Sequence, residues 1–196
     1  MKSLVMSNKV VIFAAEMYFV KLQELQKSIE CLKQERIIDY LFVGVSFFAN
    51  VQGVQWFIDN IMPNVEGHLW VIGKGMDKVI FEHLTDRIHI LGFVDDLSPY
   101  YYRARIVVSP IFTGAGMKTK TAEALMYGKT IIGTTEAFEG YIIDPRCMIC
   151  CNDKEEFIKQ VVNTYKNSLF NEHARLQFIT HYSNEGIKNK LKSIFN

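Results

Sequence analysis

Lys118, Lys120 and Glu123 share one short segment that follows a Gly114-Ala115-Gly116-Met117 turn, at the point where the apolar run Ile106 to Ser109 gives way to helical spacing. A strand that passes through a glycine turn into a helix offers free backbone N–H groups and the positive end of the helix dipole to an anion. First turns of helices favour Asp and Glu, yet this one carries Lys118 and Lys120 and no acid before Glu123. Such a pattern mildly destabilises an empty helix and suits one that holds a polyphosphate. Two familiar phosphate motifs are excluded by spacing. Thr119 stands where a dinucleotide fingerprint needs Gly or Ala, and Gly128-Lys129-Thr130 has Glu123 in place of the first P-loop glycine and closes a helix instead of opening one.

Two further loops could reach a ligand. Gly73-Lys74-Gly75-Met76 follows the run Leu69 to Ile72, and its glycines would let backbone approach closely, although a plain tight turn has the same composition. Gly92-Phe93-Val94-Asp95-Asp96 follows Ile88 to Leu91 and could offer backbone donors and acceptors to a flat heterocycle, with the acidic pair solvated or capping a helix. Cys147, Cys150 and Cys151 have no second ligand pair at zinc spacing, so they read with Cys31 as thiols of a reduced, cytoplasmic protein, and no metal site is expected.

These loops must be held by strands and helices in alternation. Apolar runs of strand length recur at Val10 to Ala14, Leu41 to Val45, Leu69 to Ile72, Ile88 to Leu91, Ile106 to Ser109, Thr130 to Gly133 and Met148 to Cys151. Helical spacing lies between them, at Phe19 to Leu32, Val54 to Ile61 and Ala122 to Met126. Runs apolar on successive residues imply strands covered on both faces, hence an α/β fold with a Rossmann-like parallel sheet flanked by helices. Asn50 reads as a cap for a helix at Val51, Ser98 as a cap before Pro99, and Gly128 as a helix stop. From Lys154 onward the tail reads as helical throughout, with Phe157, Val161, Val162 and Tyr165 on one stripe and Ile187, Leu191, Ile194 and Phe195 on another. The expected organisation is an N-terminal strand and helix extension over 1–40, a core over 41–151 and C-terminal helices over 152–196.

The 196 residues, 49% hydrophobic, suffice for one sizeable core, and 22 basic against 21 acidic side chains leave no face suited to nucleic acid. No run approaches the roughly 20 apolar residues of a membrane span. Lys2 and Lys9 precede Val10 to Ala15, but Glu16 interrupts the run and no small-residue cleavage pattern follows, which argues against a secretory signal.

An ordered set of short motifs resembles a known family. Leu41-Phe42-Val43-Gly44, Asn50-Val51-Gln52-Gly53 with Trp56-Phe57, Val71-Ile72-Gly73-Lys74-Gly75, Gly92-Phe93-Val94, Val107-Val108-Ser109-Pro110, Gly114-Ala115-Gly116 through Lys120 to Glu123-Ala124-Leu125, Tyr127-Gly128-Lys129 and Glu139-Gly140 look like the nucleotide-sugar-binding half of group 1 (family 4) glycosyltransferases. The resemblance covers roughly residues 41 to 145. It implies a GT-B half-domain that binds the nucleoside diphosphate of an activated sugar, with no metal and no other cofactor. Glu123 stands where the family's second motif acid accepts from the ribose hydroxyls; a carboxylate can accept from both at once. Lys118 and Lys120 become candidates for the diphosphate, the Gly92 to Val94 backbone for the base, and Gly73, Gly75 and Gly114 to Met117 for close approach.

The sequence departs from the family in two places. Ala115 occupies the position of the first motif acid, which commonly touches the transferred sugar, and Glu139 is the candidate substitute beside its reading as a turn acid. Residues 1 to 40 are also too few for the family's N-terminal, acceptor-binding domain. The chain is therefore expected to be half of a retaining, hexose-transferring enzyme of polysaccharide or glycan biosynthesis, inactive without that domain. Its acceptor is unspecified, and any membrane association would be peripheral and through the missing half. A non-catalytic binding or scaffold module acting with a partner protein is the alternative.

Overall fold

The structure is a computed structural model that describes residues 37–166 and 169–195. The expected strand at Val10 to Ala14, the helix at Phe19 to Leu32 and Cys31 lie outside the described residues. Six strands form one sheet: β1 Ile38–Val43, β2 Leu69–Ile72, β3 Ile88–Leu91, β4 Ala104–Ser109, β5 Ile131–Gly133 and β6 Met148–Cys150. Their order is β3-β2-β1-β4-β5-β6, and every pairing is parallel. The helices are α1 Phe48–Asn60, α2 Ser98–Arg103, α3 Thr119–Met126, α4 Lys154–Thr164, α5 Glu172–His181 and α6 Asn184–Phe195.

Both faces of the sheet are covered, as the unbroken apolar runs require. On the face of Tyr40, Phe57 of α1 and Phe157 of α4 pack edge-on with centroids 5.9 Å apart, and Phe57 meets Tyr40 at 6.0 Å. Trp70 projects from the opposite face, where α2 lays the Arg103 guanidinium 5.8 Å from its ring. β1 is buried along its whole length, whereas β3, at the sheet edge, is half-buried throughout.

Several boundaries differ from the apolar pattern. β1 begins at Ile38 instead of Leu41, because the intervening Asp39 is buried with both oxygens partnered: it accepts from the His68 N–H at 2.8 Å and the Tyr165 hydroxyl at 2.8 Å. α1 begins at Phe48, which puts Asn50 inside its first turn and removes it from the capping role. Ser98 is the first residue of α2 and not its cap; its N–H is taken by the Asp96 carboxylate at 2.8 Å, a bond that holds this carboxyl below the usual aspartate range. The tail is helical as expected, with α4, α5 and α6 in its described residues. Leu169 and Asn171 dock onto the segment between α3 and β5: Lys129, fully buried, donates to the Leu169 carbonyl at 2.6 Å, and Asn171 caps α5 through the N–H groups of His173 and Ala174. On α4, Val162 faces solvent while Phe157 and Val161 are buried.

Gly128 ends α3 as expected. Its φ of +63° is left-handed, with Gly128 N–H to Leu125 O at 3.0 Å and Lys129 N–H to Ala124 O at 2.9 Å, the paired bonds of a Schellman stop. Cys147 and Cys151 are buried, which pushes both thiols up to about 12 and keeps them protonated. Among the described residues no helix is long and apolar enough to cross a membrane.

A Cβ at Gly128 would sit 2.4 Å from the Phe170 ring as well as in the left-handed region. Gly128→Ala is therefore expected to lower stability by about 2 to 4 kcal/mol, strain and overpacking together, read as a lower urea midpoint at unchanged m-value.

Candidate functional site

In a parallel sheet of this order the chain diverges at the seam between β1 and β4, and ligands bind at the carboxyl ends there. A cleft of about 420 Å³ opens at that place. Gly44, Val45 and Asn50 form its wall after β1, Gly73 and Lys74 its wall after β2, Phe93, Val94 and Leu97 its wall after β3, and Thr119, Lys120 and Glu123 of α3 close it. Gly73 is required by proximity: a Cβ there would lie 1.9 Å from the Gly44 carbonyl oxygen. The loops after β1 and β2 can cross only because that side chain is missing.

α3 enters the cleft without a side-chain cap and without an acid in its first turn. Tyr141 braces the turn from outside, its hydroxyl accepting from the Ala122 N–H at 3.2 Å and donating to the Lys118 carbonyl at 2.8 Å. Lys120 is 7% exposed, an unusual burial for an ammonium group. Its Nζ donates to Asn50 Oδ1 at 2.5 Å and sits 4.2 Å from the centroid of Phe42. Asn50 is itself fixed by donating to the Val45 carbonyl at 2.9 Å. Desolvation pushes Lys120 down to about 7, with Glu123 acting in the opposite direction and Lys118 adding to the fall. Glu123, one turn further along α3, accepts from the buried Tyr101 hydroxyl at 3.0 Å through Oε2.

Of the residues singled out in the sequence, the cleft brings together Gly73, Phe93, Val94, Lys120 and Glu123. Gly75 and Gly92 are off its wall, the first packed toward Ser46 and the second toward the Asp77 carboxylate. Gly114, Ala115, Gly116 and Met117 form an exposed loop beside it. Lys118 turns away from the cleft and pairs with Glu136 Oε1 at 2.5 Å and Glu139 Oε2 at 3.1 Å. Lys118 and the Gly116 N–H together hold the Glu139 carboxyl below the usual glutamate range. Carboxylates thus engage the donors that the sequence assigned to a phosphate.

Sequence reasoning missed Asn50 as a partner of Lys120, and it missed Tyr101 and Glu136. A hydrogen bond between Asn50 and a lysine 70 residues away leaves no local signal. Among the described residues no cluster of three or more His, Cys, Asp or Glu side chains is placed to share a metal.

Comparison with known proteins gives the family and the fold. The family model for glycosyl transferases group 1 matches residues 38–167. An uncharacterized 44.6 kDa protein in the cps region of Klebsiella pneumoniae is 27% identical over 143 residues, a match that covers 65% of this chain and 37% of that protein. Among solved structures, a sucrose-phosphate synthase from Thermosynechococcus elongatus superposes with a TM-score of 0.63 at 16% identity, covering 87% of this chain and 48% of the other. AviGT4, a glycosyltransferase involved in avilamycin A biosynthesis, superposes with a TM-score of 0.58 at 14% identity, covering 83% of this chain and 52% of the other. Both likenesses establish the Rossmann-like fold, and the chain spans about half the length of each structure and less of the Klebsiella relative.

The buried ammonium generates a pH-dependent prediction. Lys120 titrates near 10.5 when unfolded and about 7 in the fold, so between those values the unfolded chain holds the extra proton and stability rises with pH. Its burial cost is complete below about pH 7 and fades toward about pH 10. The Asn50 oxygen and the Phe42 face recover part of it. Lys120→Met is expected to raise the thermal midpoint of the ligand-free protein near pH 6, with the gain disappearing near about pH 10, followed by thermal denaturation across that range.

Proposed function

Because the chain belongs to the glycosyl transferases of group 1, we propose that its cleft binds the nucleoside diphosphate of an activated sugar, and that the chain is the donor-binding half of a retaining, hexose-transferring enzyme. One observation carries the reading: a nearly buried ammonium, Lys120, beside the uncapped N-terminus of α3, in a cleft that also holds the Glu123 carboxylate. Burying that cation is unfavourable in the empty protein and becomes favourable once a dianionic group reaches it.

The chemistry follows from that placement. When the bond between the anomeric carbon and the diphosphate oxygen breaks, its electron pair stays on the diphosphate. The helix N-terminus and Lys120 are fixed donors aimed at the charge that develops there, and no reorganisation is needed at that moment. With these donors in place the leaving group needs no metal. Glu123 accepts from the ribose hydroxyls, and the Phe93 and Val94 stretch of the cleft wall faces the base. Ala115 cannot touch the sugar as an acid would. Glu139, with Glu136 and Lys118 beside the Gly114 to Gly116 loop, supplies carboxylates near enough to the loop to take that contact.

Exposed apolar side chains ring the same end of the sheet: Val45 at 54%, Phe47 at 63%, Phe48 at 70%, Phe93 at 71% and Met117 at 52%. They support a reading in which an acceptor-binding half faces the cleft. The cps-region relative supports an acceptor in polysaccharide assembly. Transfer then takes place on the cytoplasmic side, with any membrane contact peripheral and made by the other half.

A thermal-shift screen against UDP, GDP, ADP and their sugars tests the site. A nucleotide at ten times its dissociation constant should add about 1.4 kcal/mol of stability; no shift from any of them at millimolar concentration refutes donor binding. Lys120→Ala should weaken the diphosphate at least tenfold while leaving the parent nucleoside nearly unchanged in calorimetry, since lysine meets phosphate as a point charge. The chain by itself should transfer no sugar at a useful rate, because holding an acceptor against the anomeric carbon supplies up to about 7 to 11 kcal/mol of barrier reduction. Acceptor-dependent transfer by residues 1–196, abolished by Glu123→Ala, would overturn the half-enzyme reading.

A further inference from the structure

The Tyr101 side chain is fully buried on α2, and its hydroxyl donates to Glu123 Oε2 at 3.0 Å. Its ring lies flat on Tyr127, with centroids 4.6 Å apart and an interplanar angle of 8°. Tyr102 packs edge-on against the same Tyr127 ring at 5.3 Å. The Tyr127 hydroxyl shares a hydrogen bond of 2.8 Å with Ser98 Oγ at the start of α2, and the Ser98 N–H is held in turn by Asp96. The phenol of Tyr101 therefore has one orientation, set by a stack and a bonded chain that reach back to the loop after β3. Burial, and then the neighbouring Glu123 carboxylate, raise its titration well above the ordinary tyrosine value, so the hydroxyl keeps its proton and stays a donor.

Tyr101 does not line the cleft; Glu123 does. A glutamate on a helix surface has three rotatable bonds, and a free carboxylate there would sample many directions at an entropic cost to any ligand that selects one. Occupying Oε2 fixes the carboxylate plane and leaves Oε1 as the acceptor available to a ligand.

We propose that Tyr101 is a positioning residue for nucleotide recognition, which holds Glu123 so that its remaining oxygen meets the ribose hydroxyls. The inference rests on the donor-site reading above. It also makes the base-facing loop and the ribose acceptor one rigid unit, since Phe93, Val94 and Leu97 run directly into α2, and α2 carries Tyr101.

Tyr101→Phe keeps the ring and the stack and removes only the hydroxyl. The probe is whichever of UDP, GDP and ADP gives the largest thermal shift, compared with its 2′-deoxy analogue by calorimetry. Glu123→Gln and Tyr101→Phe are each expected to cut the preference for the ribonucleotide about three- to tenfold, with the affinity for the deoxy analogue changed less than about twofold. A purely structural tyrosine would instead lower the unfolding midpoint and weaken both ligands alike. If Tyr101→Phe keeps the full preference while Glu123→Gln loses it, the positioning role is wrong and the donor reading stands. If Glu123→Gln also keeps it, or no diphosphate binds, the ribose assignment fails and the positioning inference falls with it. Should Tyr101→Phe not fold, Tyr127→Leu removes the stack and leaves the hydroxyl in place; loss of the preference is expected, and an unchanged preference overturns the proposal.

Discussion

Strands β1 and β4 lie side by side and run the same way, yet the chain leaving β1 returns to β2 and the chain leaving β4 returns to β5 on the other side. These two outgoing loops part at the carboxyl end of the seam, and a crevice is the geometric result. The first turns of α1 and α3 flank that crevice, which is how Asn50 and Lys120 come to touch at 2.5 Å. The tight crossing at Gly73 and the stack behind Glu123 are arranged around the same opening. A sheet covered on both faces keeps the seam rigid, because shifting either strand would disturb core on two sides at once.

Against this frame the helix starts differ in an informative way. α4 begins with Asp153 accepting the Glu156 N–H at 2.8 Å and with acids in its first turn, and α5 begins with the Asn171 cap and Glu172. Both obey the local rules for a stable helix N-terminus. α1 and α3 both start with no side-chain cap and no acid in the first turn, and α3 adds a buried cation. These two helix starts, which depart from the local rules, are the two that flank the seam. Glu136 and Glu139 partly relieve the departure at α3 by neutralising Lys118 from outside the helix.

Periodicity made the parallel sheet legible, because burial on both faces writes itself into consecutive apolar residues: Leu69 to Ile72 and Ile88 to Leu91 are strands at their expected limits. Gly128 was legible for a similar reason, since a left-handed stop favours one residue type. Asp39 hid the start of β1, as a buried carboxylate satisfied by His68 and Tyr165 has no apolar signature. Partnerships across long sequence separations were hidden in the same way. Lys118 and Lys120 look equivalent two positions apart, yet helix geometry sends them to different neighbours, one to surface glutamates and one to Asn50 and Phe42. The C-terminal helices were legible as two stripes, but the start of α5 was not, because the docking of Leu169 and Asn171 on Lys129 and Gly128 is tertiary.

The pairing of Lys118 with Glu136 and Glu139 has a bearing on encounter kinetics. Lys74, Lys120 and Glu123 line the cleft, and Lys118, turned away from it, is neutralised by Glu136 and Glu139, so the charge near the site is locally compensated. At distances beyond a Debye length of about 8 Å such a balanced set projects almost no field. An anionic ligand would arrive by unguided diffusion and feel the site only on contact. Its association rate would then be in the unsteered range of about 10⁵ to 10⁶ per molar per second and nearly indifferent to ionic strength, leaving discrimination between ligands to residence time.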